Sequence, residues 1–465
     1  MPDNLTDLKT TYEGLPCVST WNTIGYTPTW QVQQLRNGRR FVPCLSLPPV
    51  DPVNPGGWWH ASNPDVLQKF IHAHANDLKW IGEQGLPICL RFNNLCQLFK
   101  PEWDSNACVQ AGVDLANSPY MVRLRELIPS PSWVQIADNN EGCTAHNPEQ
   151  YRVFCYGFHS TAWPDSDFSI VGYGNPVKDK DYRYDANRLN LEGYAPEAFC
   201  FDAMSPSLYS EGKFTGDFSL LWPAEILNMI PQREWSENWR GGISQSREVS
   251  LKITSNAFIA GALVHGPMTA ERYAAFAAWL LWSIREPGIP TTLRWFQESK
   301  FGPDSTLGTE AAGEYLQAIT KAVDQICENP VLRDFWLHGK PVVTGVGHPT
   351  DIRLAKLGYP PYPRTGDADN RWRVLTCSVN GGNRSSWRWD DTTNTVVGAP
   401  MRVWAVATEL NGQWLVYAWS PFKNDRPIEL TIPGHGSFET IQPPNPGAYW
   451  IVKPSGLSAE RLEVT

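Results

Sequence analysis

Apolar and polar positions follow two different rhythms along this chain. In the first part, short runs rich in β-branched and aromatic residues alternate with stretches of helical spacing. The strand-like runs fall at 15–22, 40–47, 86–94, 133–141, 167–173, 198–205, 248–256 and 290–296, and most of them end in polar or aromatic residues. Between them, Val66, Leu67, Phe70, Ile71, Leu78 and Ile81 recur at helical spacing. They predict one helix from Pro64, with Asn63 as N-cap and Gly85 as its end. Further helices are predicted over 121–127, 148–158, 269–284 and 310–327, the last closed by Asn329-Pro330. Eight strands interleaved with helices over about 300 residues have the size and order of a (β/α)8 TIM barrel, assigned to residues 1–335. A doubly wound sheet is the rival arrangement, but no glycine-rich phosphate loop follows the first strand.

Beyond about residue 335 the rhythm changes. Strands at 342–344, 372–376 and 401–407 have no helical stretch between them, and Leu410-Asn411-Gly412-Gln413 is a strong hairpin signal between 403–408 and 414–419. Proline and glycine punctuate further strands up to 449–452. This pattern predicts a small all-β sandwich over residues 336–465.

Composition narrows the class. With 465 residues, 42% hydrophobic and 19% charged, the chain is globular and long enough for two cores. No run of about 18 apolar residues occurs, so no membrane span is predicted. The net charge is −9 and Lys and Arg form no dense basic run, which argues against a nucleic-acid partner. Met-Pro-Asp-Asn-Leu-Thr has neither a basic n-region nor an apolar h-region, so no signal peptide is expected here; a trimmed leader would leave secretion open. Cys17, Cys44, Cys89 and Cys200 sit in strand-like runs and read as buried thiols, whereas Cys96, Cys108, Cys143 and Cys155 are placed near the mouth, able to pair if the protein is secreted.

Tryptophan changes the picture most. There are 22, many in predicted loops: Trp21, Trp58, Trp59, Trp103, Trp163, Trp222, Trp235 and Trp239. Some plug loops onto the body. The others suit a ligand with flat apolar faces, and a sugar ring is such a ligand.

The chemistry centres on Trp133-Val134-Gln135-Ile136-Ala137-Asp138-Asn139-Asn140-Glu141-Gly142. A short apolar strand opening into Asp-Asn-Asn-Glu-Gly delivers ionisable side chains to the mouth of a barrel, where such enzymes act. An Asn-Glu pair at the end of the fourth strand resembles clan A, the large retaining clan of barrel glycoside hydrolases. The resemblance rests on the barrel architecture and Asn140-Glu141, and names no family within the clan. It implies that Glu141 is the acid/base and that Asn140 binds the sugar 2-hydroxyl. The expected function is cleavage of a glycosidic bond in an oligo- or polysaccharide by two carboxylates, with retention, and without cofactor or metal.

Glycoside hydrolysis needs a second carboxyl, about 5–5.5 Å away if retaining and wider if inverting. The clan carries its nucleophile at the end of strand seven. Here that strand ends Thr254-Ser255-Asn256, without an acid. The candidates are Glu298, directly after the eighth strand, Glu211, placed in a loop past the sixth, and Asp202, within the sixth. Were one earlier strand surplus, Glu298 would follow strand seven. Arg91, Asn93, Trp21, Tyr209 and Trp295 lie at or near strand ends and join Asn140 and Asp202 as candidate substrate contacts. Asp138 is either a neighbour that raises the Glu141 pKa or an inward residue paired to an arginine. His60, His146 and His159 read as loop histidines on the surface. No His-Glu-x-x-His helix or Gly-x-Ser-x-Gly elbow occurs. The competing expectation is a non-catalytic carbohydrate-binding barrel that lacks the second carboxylate. A polysaccharide lyase would need only Tyr, His and Arg, and nothing in the sequence selects it.

Overall fold

The computed structural model describes residues 14–20, 28–37, 41–47, 64–86, 88–92, 102–135, 148–165, 169–173, 203–205, 207–210, 247–253, 270–285, 287, 291–297, 308–342, 376–379, 383–384, 387–390, 395–398, 403–419, 427–441, 447–455 and 457–464. Its first part runs β1 (Pro16–Thr20), α1 (Pro28–Arg36), β2 (Phe41–Val42), β3 (Cys44–Leu47), α2 (Pro64–Ala73), α3 (Ala75–Glu83), β4 (Cys89–Phe92), α4 (Ser105–Ala116) and α5 (Pro119–Leu127). It continues with β5 (Trp133–Gln135), α6 (Pro148–Ala162), β6 (Ser169–Tyr173), β7 (Ala203–Ser205), β8 (Ser207–Ser210), β9 (Arg247–Ile253), α7 (Ala270–Ile284), β10 (Thr291–Gln297), α8 (Gly308–Glu328) and α9 (Pro330–His338). This is an α/β arrangement.

The strands form two five-stranded sheets, ordered β2-β1-β10-β9-β8 and β3-β4-β5-β6-β7, and every pairing in them is parallel. Only Pro43 separates β2 from β3, and only Pro206 separates β7 from β8. Pro43 lacks the amide that a ladder needs, so the strand predicted over 40–47 appears as two pieces. The gap at Pro43 is filled from a helix. Gln31 of α1, fully buried, donates from Nε2 to the Cys44 carbonyl and accepts at Oε1 from the Cys44 amide, both at 3.0 Å. The amide side chain thereby satisfies both backbone groups of a residue at the sheet's break.

The structure departs from the sequence expectations at four places in the helices and in one loop. The helix expected to run unbroken from Pro64 is two, because His74 adopts φ −110°, ψ 14°; the expected end holds, with Gly85 at φ +63°. Its expected cap, Asn63, lies outside the described residues. α1 and α4 were not anticipated. α9 was also missed, since Asn329-Pro330 reads as a helix stop. It is a start: Asn329 Oδ1 accepts from the amides of Val331 (3.0 Å) and Leu332 (3.1 Å), and Pro330 takes a first-turn position. The stretch past the sixth strand, read as a loop carrying Glu211, continues as β8 up to Ser210.

α4 and α6 pack closely because each offers a glycine at the crossing. A Cβ on Gly112 would overlap the Phe154 carbonyl, and one on Gly157 the Val109 carbonyl. Gly112→Ala is therefore expected to force the helices apart and cost on the order of 1–3 kcal/mol. Urea unfolding followed by tryptophan fluorescence reads this, and an unchanged midpoint would contradict it.

Cys108 and Cys155 sit buried on these two helices, not at a mouth. They act as small apolar side chains, and burial, with Asp104 nearby, pushes the Cys108 thiol up. Cys17, Cys44 and Cys89 are buried as expected; Cys96, Cys143 and Cys200 lie outside the described residues. Trp163 is a plug: its Nε1 donates to the Ile128 carbonyl at 3.0 Å and its ring meets Phe158 edge-on. Trp103 packs on the same core, its carbonyl accepting from Gln150. His159 lies within α6 and not in a loop.

The C-terminal part is antiparallel throughout its described pairs. Its strands are β11 (Lys340–Pro341), β12 (Thr376–Val379), β13 (Asn383–Arg384), β14 (Trp387–Asp390), β15 (Thr395–Gly398), β16 (Trp404–Leu410), β17 (Gln413–Trp419), β18 (Pro427–Ile432), β19 (Gly436–Ile441), β20 (Ala448–Lys453) and β21 (Ser458–Leu462). The β16–β17 turn has both central residues at positive φ, Asn411 at 51° and Gly412 at 74°, the primed turn that Asn-Gly favours. β17 is buried on both faces. Trp414, Val416 and Ala418 face a core shared with β18 and β19. Leu415, Tyr417 and Trp419 face a second core, shared with α7, α8 and α9. Trp414 and Trp419 are thus core side chains on opposite faces of one strand. At that second face Tyr417 donates to the Ala275 carbonyl at 2.8 Å, and Trp282 Nε1 donates to the Tyr449 hydroxyl at 3.1 Å. Burial pushes both phenols up, so both stay protonated. Arg285, fully buried, donates to the carbonyls of Trp336 and Gly339 and lies over the rings of Trp282 and Trp336. α7 thus packs against β16 and β17 and against β10 and α8.

Candidate functional site

Parallel strands deliver their C-terminal ends to one side, and side chains just past those ends can meet. Trp21 follows β1 directly, Asn93 follows β4, Glu211 follows β8 and Glu298 follows β10, while Glu141 stands six positions past Gln135. These residues, with Asn140 and Asp202, lie outside the described residues. What the described residues give is the order of the strands that lead to them. With β2/β3 and β7/β8 each taken as one strand, all eight predicted strands are present and paired. β5 is fourth, β9 seventh and β10 eighth. Among the described residues, β10 is thus the eighth strand, and Glu298 follows it directly in sequence. β9 ends at Ile253 and leads into Thr254-Ser255-Asn256.

Three candidates lie on described strands. Tyr209 pairs in register with Lys252, and Trp295 pairs with Thr20 and Leu251. Arg91 is the third residue of β4, in register with Ser46 and Gln135, and is fully buried. Its face follows from its neighbour. Phe92 packs edge-on against Phe158 of α6 with ring centroids 5.8 Å apart, so strand alternation turns Arg91 to the face away from that helix. A buried guanidinium is costly unless it meets acceptors, and it favours the ionised form of any carboxyl placed beside it.

One polar group was missed. Ser19, next to last in β1, is fully buried, and its hydroxyl has no hydrogen-bond partner among the described residues. Val18 packs into the core of α7 and α8, so Ser19 occupies the opposite face, as does Cys17, whose Sγ lies 3.2 Å from Thr292 Oγ1. A serine within Val-Ser-Thr carries no sequence signal of this kind. Arg91 and Ser19 thus stand near strand C-termini on faces turned from the helices. Among the described residues no cluster of three His, Cys, Asp or Glu side chains could hold a metal ion, and no helix is long and apolar enough to cross a membrane.

No protein-family model matches the chain, and no curated protein matches it. Solved structures that it is similar to are glycoside hydrolases. One is a noncanonic maltogenic alpha-amylase from Thermotoga neapolitana, 9% identical, covering 98% of this chain and 100% of that one at a TM-score of 0.44. Another is an alpha-amylase from Geobacillus thermoleovorans complexed with acarbose, 11% identical, covering 98% and 99% at 0.45. A third is a family 30 endoxylanase from Clostridium papyrosolvens, 10% identical, covering 93% and 94% at 0.38. At this level of likeness no residue role or activity transfers.

Proposed function

We propose that β1 to β10 and their helices form one closed (β/α)8 barrel over residues 1–335, that an all-β sandwich follows over 336–465, and that the protein is a glycoside hydrolase. What supports closure is the pairing of β10 with β1, together with the sequence-order pairings of β3 to β7 and of β8 to β10. The observation that carries the functional reading is the fourth rank of β5, because the stretch leaving it contains Asn140-Glu141. In this reading Glu141 protonates the leaving oxygen, then deprotonates the water that completes a retaining cycle. Asn140 binds the adjacent hydroxyl, and Arg91, Asn93, Trp21, Tyr209 and Trp295 contact the substrate. The partner carboxylate is Glu298 or Glu211, with Asp202 as the weaker candidate. Glu298 stands four ranks from Glu141, at the opposite pole of an eight-strand ring; Glu211 stands two ranks away.

Turnover is tested on a panel of aryl glycosides and algal, plant and bacterial polysaccharides. One of Glu298→Gln and Glu211→Gln is expected to lose turnover by at least about 10²-fold while the other retains it. If both retain it, the pairing of Glu141 with either carboxylate fails. The absence of an acid behind β9 favours a second reading, a carbohydrate-binding barrel without catalysis. Saccharide binding with no turnover on any substrate would select it.

A further inference from the structure

A groove on the helical side carries chemistry outside the strand-end site. α5 lies beside α3, with Gly82 against the Leu127 carbonyl, so the last turns of the two helices are level. At 1.5 Å per residue, α5 covers about 13 Å, whereas α2 and α3 together run about 30 Å. α5 packs against both α2 and α3, and its first turn faces α2 across a groove. The result is a cavity of about 430 Å³, within the range of small-ligand sites. Asp65, Gln68, Lys69 and His72 of α2 line one wall, and Tyr120 and Arg123 of α5 line the other. The four α2 residues recur at i, i+3, i+4 and i+7, while Phe70 and Ile71 anchor the helix in the core.

The lining is cationic on a chain of net charge −9: Lys69 and Arg123, with His72 when protonated, against the single acid Asp65. Arg123 meets Glu126 at 2.5 Å, but both side chains are more than half exposed, and such a pair yields readily to a competing anion. Tyr120 adds a half-buried ring, and Gln68 and Asp65 add hydroxyl-binding groups. We propose that this groove binds an acidic saccharide unit, with its carboxylate between Lys69 and Arg123 and its ring face on Tyr120. The cations call for an anion; the choice of a saccharide rests on the glycoside hydrolase reading.

The test is calorimetric titration of the full chain with trigalacturonate and with neutral galactotriose, for the wild type, Lys69→Ala/Arg123→Ala and Tyr120→Ala. Trigalacturonate is expected to bind more tightly than galactotriose, and to bind at least about tenfold more weakly to each variant. Binding that neither variant changes, or no binding of trigalacturonate, overturns the proposal. If Tyr120→Ala changes nothing while inorganic sulfate competes fully, the saccharide assignment is overturned. Turnover measured in parallel separates the two readings. A groove lost in the variants of a chain with no turnover leaves the groove standing without the hydrolase; turnover with variant-insensitive binding does the reverse.

Discussion

Glu141→Gln is expected to reduce turnover by about 10²–10⁴-fold, the contribution of a positioned general acid/base. Glutamine keeps the shape and the hydrogen-bonding reach of glutamate but cannot deliver or accept the proton. The loss therefore belongs in kcat and in kcat/KM together, with the thermal midpoint unchanged. Substrates with good leaving groups need less protonation, so aryl glycosides of acidic phenols should lose less in the bond-breaking step than polysaccharides. That gradient distinguishes an acid/base from a residue that only binds sugar, whose loss would weaken all substrates alike. Turnover that survives Glu141→Gln removes the residue on which the mechanism rests.

The second large effect concerns stability. Trp282→Ala should destabilise the chain by about 3–5 kcal/mol, the range for emptying a buried tryptophan site. Trp282 is 3% exposed, meets Trp336 edge-on at 4.9 Å between centroids, and donates to the Tyr449 hydroxyl. The substitution opens a cavity and leaves a buried phenol oxygen without its donor. Because Leu415, Tyr417, Trp419 and Tyr449 share a core with α7 to α9, denaturation should remain one transition at a lower midpoint. Two separate steps, only one of them shifted, would show that the β strands and the helices unfold independently.

The strands were legible because β-branched and aromatic residues cluster tightly in them, as in Pro16–Thr20 and Thr291–Gln297. The Asn411-Gly412 turn was legible because its backbone admits few other residues. The helix starting at Asn329 was not, because the same Asn-Pro pair ends one helix and opens the next. α1 was missed for a different reason. Its mean hydropathy is low and Gln31 is its fully buried polar residue, so no apolar stripe announces it. At the candidate site, Arg91 was found by its place at a strand end, yet its complete burial follows only from the packing of Phe92. Ser19 could not be found, since a buried hydroxyl leaves no mark in a strand composition.

The contact that brings β1 beside β10 also sets an order of events during folding. Cys17 and Thr292, side by side in the sheet, are 275 residues apart along the chain, whereas Gln31 and Cys44 are 13 apart. Closing the longer loop costs about 3 kcal/mol more in chain entropy. The first strand–helix–strand unit can thus assemble early on local contacts, while β1 waits with an unpaired edge until nearly two thirds of the chain has been made. During that interval its partner-seeking backbone is exposed, and the helix that packs on β1, α8, has not yet been made.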